Sequence, residues 1–496
     1  MLHKITSTML FLFALAGVNA SAQINLTDYS HLVSNGDWSL ALRQALVEAL
    51  DGGDRVHIPA GTYVMEDFQP IRDGFNFSVV DIQGAGRNVT TIRTNRFWID
   101  AISILKVKGL AFQGMNASGS GPQDTSLLLL KGASTVEFRD NSVNNGAEGL
   151  VTVYDAGSYD VSNNLFSNSG VGNRTPGGKQ SGTALGINEA TSGVVAYNTF
   201  TGVKGIGIFV GNAYTQSLTI NGNDVTNSGY GTGVYVAGDD GSVLSNTQNV
   251  SIQNCTFHGF TVNGIRINGT NQTVSNNHFY SGGTSAIKAH FLRNSTISGN
   301  YINKYGSGTG IELVALNEAL AVRDVDVTHN TVLNAGTGIA VTYSGNATYS
   351  DVALEYNTIN ESSYWGIAMW HRIGGFGTRI VGNTLTNSGS PFAYSAMNLN
   401  TQNSPFVASN TVNGQAGSAN YGHIYLNNVH DATFSDNVIT SPNCVDRSYG
   451  GFMLNHCEDI TVTNTRFTNI DDPGYRLNPG VLNIFFSGST FQFTCN

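Results

Sequence analysis

Four residues able to handle protons and anions recur at like places in the chain. Tyr235, Arg266, Lys288 and Glu312 are separated by 31, 22 and 24 residues, each at the first x of a Gly- or Ala-led segment apolar-x-apolar-x. Asn268 and His290 stand at the second x of the Arg266 and Lys288 segments. Side chains alternate along a strand, so both x positions share one outward face. Arg266 with Asn268 suits neutralising a carboxylate. Lys288 suits a general base, since Arg266 disfavours its charged form while Glu312 favours it; His290 is the alternative base. Tyr235 suits protonation of a leaving oxygen, or could serve as base in a syn elimination. Acidifying the C5 proton of a uronate, removing it and protonating the glycosidic oxygen are the three needs of β-elimination.

A surface ion-pair ladder is the competing explanation for the same residues. Two stacked cations repel, however, and one carboxylate cannot serve both equally well. With only 12% charged residues, this chain has little reason to stack cations on one face. A carboxylated sugar would supply the missing anion. Around the cluster, Phe209 and Tyr235 on one side and Trp370 and Tyr425 on the other offer ring faces to a saccharide. Asn398 and the segment 365–372, ending His371-Arg372, add further candidate binding groups.

The spacing comes from a repeat. A pattern apolar-x-x-Asn-x-apolar places Asn at 141, 164, 198, 223, 277, 300, 330, 357, 383, 410 and 437, with Cys255 and Thr465 in the same place in two more copies. From Asn277 onward the steps are 23, 30, 27, 26, 27 and 27. One coil therefore takes about 27 residues, and its short strands hold only when stacked as parallel ladders on neighbouring coils. The recurring Asn then satisfies polar groups at a buried turn and is scaffold. Cys255 becomes a buried free thiol. Registering the coils puts Gly186, Gly207, Tyr235, Arg266, Lys288, Glu312, Ala340, Ala368, Asn398, Tyr425 and Met453 in one outward column. The second column reads Asn188, Phe209, Ala237, Asn268, His290, Val314, Thr342, Trp370, Asn400, Asn427 and Asn455.

Composition agrees with a large all-β protein. Of 496 residues, 59 are Gly and 55 Asn, which excludes helical bundles and doubly wound α/β domains. With 40% hydrophobic and 10% aromatic residues, disorder is excluded too. A formal charge of −10 argues against nucleic acid or anionic membranes as partners. Lys4, the apolar run Met9 to Val18 and Ala20-Ser21-Ala22 predict an export signal over 1–22, hence a secreted or periplasmic protein. Of four cysteines, Cys444 and Cys457 are the expected disulfide, with Cys495 the competing partner.

These features resemble the right-handed parallel β-helix of the pectate-lyase-like superfamily. Trp38 to Leu50 has helical spacing and leads into Arg55-Val-His-Ile-Pro-Ala-Gly-Thr-Tyr-Val64, like the helix and "IPAGTY" strand that cap such helices. The resemblance implies a cap over 23–74 and a β-helix over 75–496, about thirteen coils in all. In the alginate lyase and chondroitinase B family, a Lys and an Arg on neighbouring coils perform the elimination. Lys288 and Arg266 look like that pair in reversed order. No cluster of one Asn and two Glu matches that family's calcium site, so no cofactor is required, with calcium as the open alternative. The first reading is thus a monomeric lyase of an acidic polysaccharide such as alginate. A β-helical hydrolase is the alternative: Asp239-Asp240 and Glu312 are present, but the other polygalacturonase motifs are not, and Arg266-Ile267-Asn268 lacks their Lys. A non-catalytic carbohydrate-binding or adhesin β-helix is the third.

Overall fold

A computed structural model of the chain describes residues 23–492 apart from 53, 71–76, 116–125, 171–181, 212–214, 228, 230, 238–246, 304–305, 317–319, 344–346, 371–374, 389–393, 414–421, 441–450 and 471–474. The predicted export signal, His371, Arg372, Asp239, Asp240, Cys444 and Cys495 lie outside the described residues.

The chain winds into a right-handed parallel β-helix of about thirteen turns. Each coil's strands pair only in parallel with those of the coils before and after: Ile265, Arg266, Ile267 and Asn268 face Ile287, Lys288, Ala289 and His290, which in turn face Ile311, Glu312, Leu313 and Val314. Inward positions are apolar and fully buried, among them Ile265, Ile267, Ile287, Ile311, Leu313, Ile339 and Val341. Burying such side chains contributes about 1.5–3 kcal/mol each, which is what short strands need to persist. Phenylalanines stack along the axis, Phe166 on Phe200 at 4.7 Å and Phe257 on Phe279 at 5.0 Å between centroids.

Helix Ser39–Gly52 covers the N-terminal end, close to the expected span. Its Ala41, Leu42, Ala45 and Leu46 are buried against the first coils. Trp38 meets Tyr63 of the IPAGTY strand edge to face at 5.0 Å.

The asparagines form the expected ladder. Asn277 N–H and Nδ2 donate to Asn300 Oδ1, Asn300 to Asn330, Asn330 to Asn357, and so on to Asn437, at 2.9–3.0 Å. Each Nδ2 also reaches a carbonyl of the coil before, as Asn330 does to Ile297 at 2.9 Å. The residue before each ladder Asn has positive φ, as at Asn276 (55°), His329 (55°) and Asp436 (54°), which Asn, Asp and Gly tolerate best. The glycine leading each outward strand has another cause. A Cβ on Gly338 would lie 2.5 Å from the Gly366 carbonyl oxygen of the next coil.

Cys255 takes its ladder place as a buried free thiol, its Sγ reaching the carbonyls of Gln253 and Ile220, and burial pushes it up to about 11. The expected Cys444–Cys457 disulfide is corrected at Cys457, which is also a buried free thiol. Its Sγ points inward at a turn and reaches the carbonyls of Leu426 and Asn455, the same use Cys255 makes of its sulfur.

Candidate active site

The cationic cluster lies on one outward sheet, on the strands Val234–Val236, Asn263–Thr270, Ser285–Ser298 and Thr309–Ala315. Tyr235, Arg266, Lys288 and Glu312 face one another in that order across successive coils, as the repeat predicts. Asn268 and His290 are likewise opposite each other, with Val314 next. Coils are about 4.8 Å apart and second neighbours along a strand about 6.6 Å apart, so Arg266, Asn268, Lys288 and His290 outline a small rectangle.

At that spacing two unit charges repel by about 3 kcal/mol at an effective dielectric constant of 20. The side chains answer by turning apart. Arg266 lies over the Tyr235 ring, 4.7 Å from guanidinium carbon to centroid. Lys288 Nζ turns the other way, 3.1 Å from Glu312 Oε2. Ser285 Oγ donates to that same carboxylate oxygen at 2.6 Å and holds it in place. Between the two cations, backed by Asn268 and His290, the rectangle is left for an anion.

Three polar atoms in this rectangle are buried without a hydrogen-bond partner: Arg266 Nε, Asn268 Oδ1 and His290 Nε2. Each such group costs about 1–3 kcal/mol. Three from adjoining residues leave this rectangle with hydrogen-bonding capacity that a ligand or water can use. Burial first, then the charges of Arg266 and Lys288, push the His290 imidazole down to about 3. It is therefore neutral at ordinary pH, with one ring nitrogen free to accept a proton.

Phe209 requires a correction of register. It pairs with Gly186 and Tyr235, so it stands in the first column, and Gly211 takes the place beside Asn188. It is buried, with its ring 5.6 Å from that of Tyr235 at 68°. Tyr235 is thus held between Phe209 and Arg266, and the pair orients the guanidinium; Phe209 is no free sugar platform.

On the far side, Ala340 and Ala368 continue the column beyond Glu312, and Asn398 and Tyr425 follow them. Trp365 and Trp370 bracket the small Ala368, their rings 4.8 Å apart and perpendicular. Tyr394 meets Trp365 at 4.5 Å and Tyr364 at 5.1 Å. Asn398 is buried and accepts from Asn400. Sequence reasoning missed Ser285, Tyr364 and Tyr394; the pairing Asn263–Ser285–Thr309–Thr337–Trp365 would have pointed to the first. It also missed a group at the N-terminal end of the same sheet, where Asp100, Lys131, Tyr154 and Asn188 are successive neighbours.

Among the described residues no group of three or more His, Cys, Asp or Glu is placed to hold a metal ion. No helix of the described residues is long and apolar enough to cross a membrane.

Residues 24–256 match the family described as rhamnogalacturonase A/epimerase, pectate lyase-like, and residues 231–385 match the right handed beta helix region. No curated protein matches the chain. Among solved structures, the catalytic unit of the GH87 α-1,3-glucanase of Streptomyces thermodiastaticus is 12% identical over 96% of this chain and 71% of its own, with a TM-score of 0.42. A tailspike of E. coli bacteriophage HK620 in complex with a hexasaccharide is 13% identical over 95% and 80%, at 0.46. The family 28 exopolygalacturonase of Yersinia enterocolitica is 12% identical over 94% and 78%, at 0.36. With the two family matches running from residue 24 to 385 and the coils wound as they are, the chain belongs to the pectate-lyase-like right-handed parallel β-helices.

Proposed function

We propose that the protein is an exported enzyme acting on an acidic polysaccharide, and that it cleaves at a uronate by β-elimination. The observation that supports this reading is the rectangle itself: two cations turned apart, with three buried, unpartnered polar atoms between them. A uronate carboxylate entering there meets Arg266 and Lys288 and lowers the barrier to C5 deprotonation. Asn268 can turn either end of its amide to the sugar.

His290 is the better placed base. It is already neutral because burial, and after it the charges of Arg266 and Lys288, lower its proton affinity; a bound carboxylate offsets the part due to the charges. Lys288, 3.1 Å from Glu312, is the donor to the departing glycosidic oxygen in this reading. Tyr235 positions Arg266 and is the alternative donor. The base takes the C5 proton, the C4–O bond breaks, and the leaving oxygen is protonated; a 4,5-unsaturated uronate remains.

Hydrolysis is the second reading, because the matched family's description also names a rhamnogalacturonase. It needs a second carboxyl group across the scissile bond from Glu312. Incubation with alginate, polygalacturonate, glucuronan and chondroitin sulfate separates the readings. Elimination raises ultraviolet absorbance with each cut. New reducing ends without that absorbance would replace the lyase by a hydrolase, and binding without either product would leave a carbohydrate-binding protein.

A further inference from the structure

The sheet that carries the cationic rectangle changes character on its C-terminal side. Beyond Glu312 the first outward column reads Ala340, Ala368, Asn398, Tyr425 and Met453, and the second reads Val314, Thr342, Trp370, Asn400, Asn427 and Asn455. None of these residues is ionisable near neutrality; the column meets its next cation only at Arg476, which pairs with Met453. Aromatic rings come first: Tyr364, Trp365, Trp370 and Tyr394 are all partly exposed and touch one another over Ala368. Ala368 is two coils, about 10 Å, from Glu312. An amide rail follows. Asn455 Nδ2 donates to Asn427 Oδ1 and Asn427 Nδ2 to Asn400 Oδ1, each at 2.6 Å, leaving a line of carboxamides along the axis.

The N-terminal side has the opposite character. Asp100, Lys131 and Tyr154 neighbour one another there, with Glu189 bonded to the Tyr154 hydroxyl and Asp155 close enough to raise Asp100. Those carboxylates repel a polyanion, whereas the described columns from Ala340 to Met453 carry no charge.

Resting on the function proposed above, we infer that the substrate is a heteropolysaccharide in which a uronate is flanked by neutral sugars. Its chain runs along the helix axis, from the cationic rectangle over the Trp365–Trp370 platform onto the amide rail. A pyranose in a chain advances by about the 4.8 Å of one coil, so successive sugars meet successive coils. Indole and phenol rings recognise the C–H faces of a pyranose, and carboxamides recognise its hydroxyls; neither selects for a carboxylate. Over the described columns from Tyr235 to Met453, charge selection then rests on the one sugar held by Arg266 and Lys288. A polymer with a uronate at every position would desolvate carboxylates over the aromatic and amide surface from Ala340 to Met453, where the described columns carry no cation to meet them.

The test compares glucuronan, a glucuronate at every position, with gellan, whose glucuronates are separated by neutral sugars. Gellan should give kcat/KM about ten-fold higher or more, and Trp370→Ala should lower its turnover about ten-fold at low substrate while affecting short fragments less. Trp370→Phe, which keeps a ring, should restore most of the loss and separates stacking from misfolding. Preference for glucuronan, or a Trp370→Ala loss equal on short and long fragments, overturns the inference. Retention on immobilised gellan is measured alongside. Gellan binding that Trp370→Ala abolishes, with no unsaturated product from any polymer, would keep the neutral-sugar platform while removing the lyase.

Discussion

The Lys288 ammonium stands 3.1 Å from Glu312 Oε2, and both side chains are more than two-thirds covered. The carboxylate fixes the direction of the Lys288 side chain, toward Glu312 and away from Arg266. Beside it, His290 is neutral and has a bare Nε2. The sequence favours Lys288 as the base with His290 as the alternative; the turn of Lys288 toward Glu312 and the bare Nε2 of His290 support the second.

The pair can be separated by substitution. His290→Gln should cut turnover by about 10²–10⁴, the range for losing a positioned base, with little change in KM. Lys288→Met should slow turnover and weaken binding together, because its charge meets the substrate in ground and transition states alike. Steady-state kinetics on the cleaved polymer read both. Full activity in His290→Gln with total loss in Lys288→Met would hand the base back to Lys288.

Arg266→Ala should weaken binding and slow turnover, and it also removes the cation over Tyr235. Tyr235→Phe keeps the ring that orients the guanidinium. If Tyr235 only positions Arg266, Tyr235→Phe retains nearly full kcat/KM while Tyr235→Ala loses about ten-fold, a typical cation–π contribution of about 1 kcal/mol or somewhat more. A large kcat loss in Tyr235→Phe would instead make the hydroxyl the leaving-group acid.

Acid should destabilise the fold through buried imidazoles. In the unfolded chain His titrates near 6.5, whereas folded His290 and His423 stay neutral down to about 3 and about 4. Between these values the unfolded state binds more protons, so stability falls as pH drops through 6.5 and levels off below about 3. His290 accounts for roughly 3–5 kcal/mol of that loss at its full extent. Urea unfolding at pH 7 and pH 4 should show a smaller difference in His290→Gln than in the wild type. The acid limb of kcat/KM should likewise lie well below 6.5; a limb at 6.5 would mean an ordinary, solvated histidine.

Reduction and alkylation test the corrected cysteine. Because Cys457 and Cys255 are free and buried, iodoacetamide should label both only after denaturation. Peptide mapping without reductant should find no link between Cys444 and Cys457. Such a link would mean that the Cys457 sulfur turns out of its place under Asn455.

What was legible in the sequence is what the repeat enforces. An amide buried at every coil can satisfy its turn in one way, so the Asn spacing carries the register, and with it the alignment of Tyr235, Arg266, Lys288 and Glu312. Phe209 escaped because Gly205-Ile206-Gly207-Ile208 offers two Gly-apolar starts two residues apart, and pairing with Gly186 selects the second. A slip of two keeps the same face outward, so the hydrophobic pattern could not reveal it. The parting of Arg266 from Lys288 and the meeting of Trp365 with Trp370 depend on rotamers, which spacing does not encode. Cys457 has a similar origin: a thiol suits a disulfide or a small buried turn site, and only the neighbouring carbonyls tell them apart.

The ladder offers a test in both directions. Asn330 Nδ2 donates to Ile297 O, Thr328 O and Asn357 Oδ1, and its Oδ1 accepts from Asn300 N–H and Nδ2. Asn330→Ala leaves several of these groups buried without partners, at about 1–3 kcal/mol each, partly relieved by water. A loss of about 2–5 kcal/mol in chemical unfolding is expected, against about 0.5 kcal/mol or less for Thr358→Ala on the exposed face. Cys255 is the natural gap: Asn223 Nδ2 meets its sulfur at 3.8 Å, where other rungs have an oxygen at 3.0 Å. Its neighbours Asn223 and Asn277 are placed as at any other rung, since Cys255 N–H already donates to Asn277 Oδ1 at 3.0 Å. Cys255→Asn should therefore complete the ladder and raise stability by about 1 kcal/mol, the net value of one buried hydrogen bond. If Cys255→Asn destabilised the fold while Asn330→Ala did not, the column would owe its place to packing volume and not to hydrogen bonding.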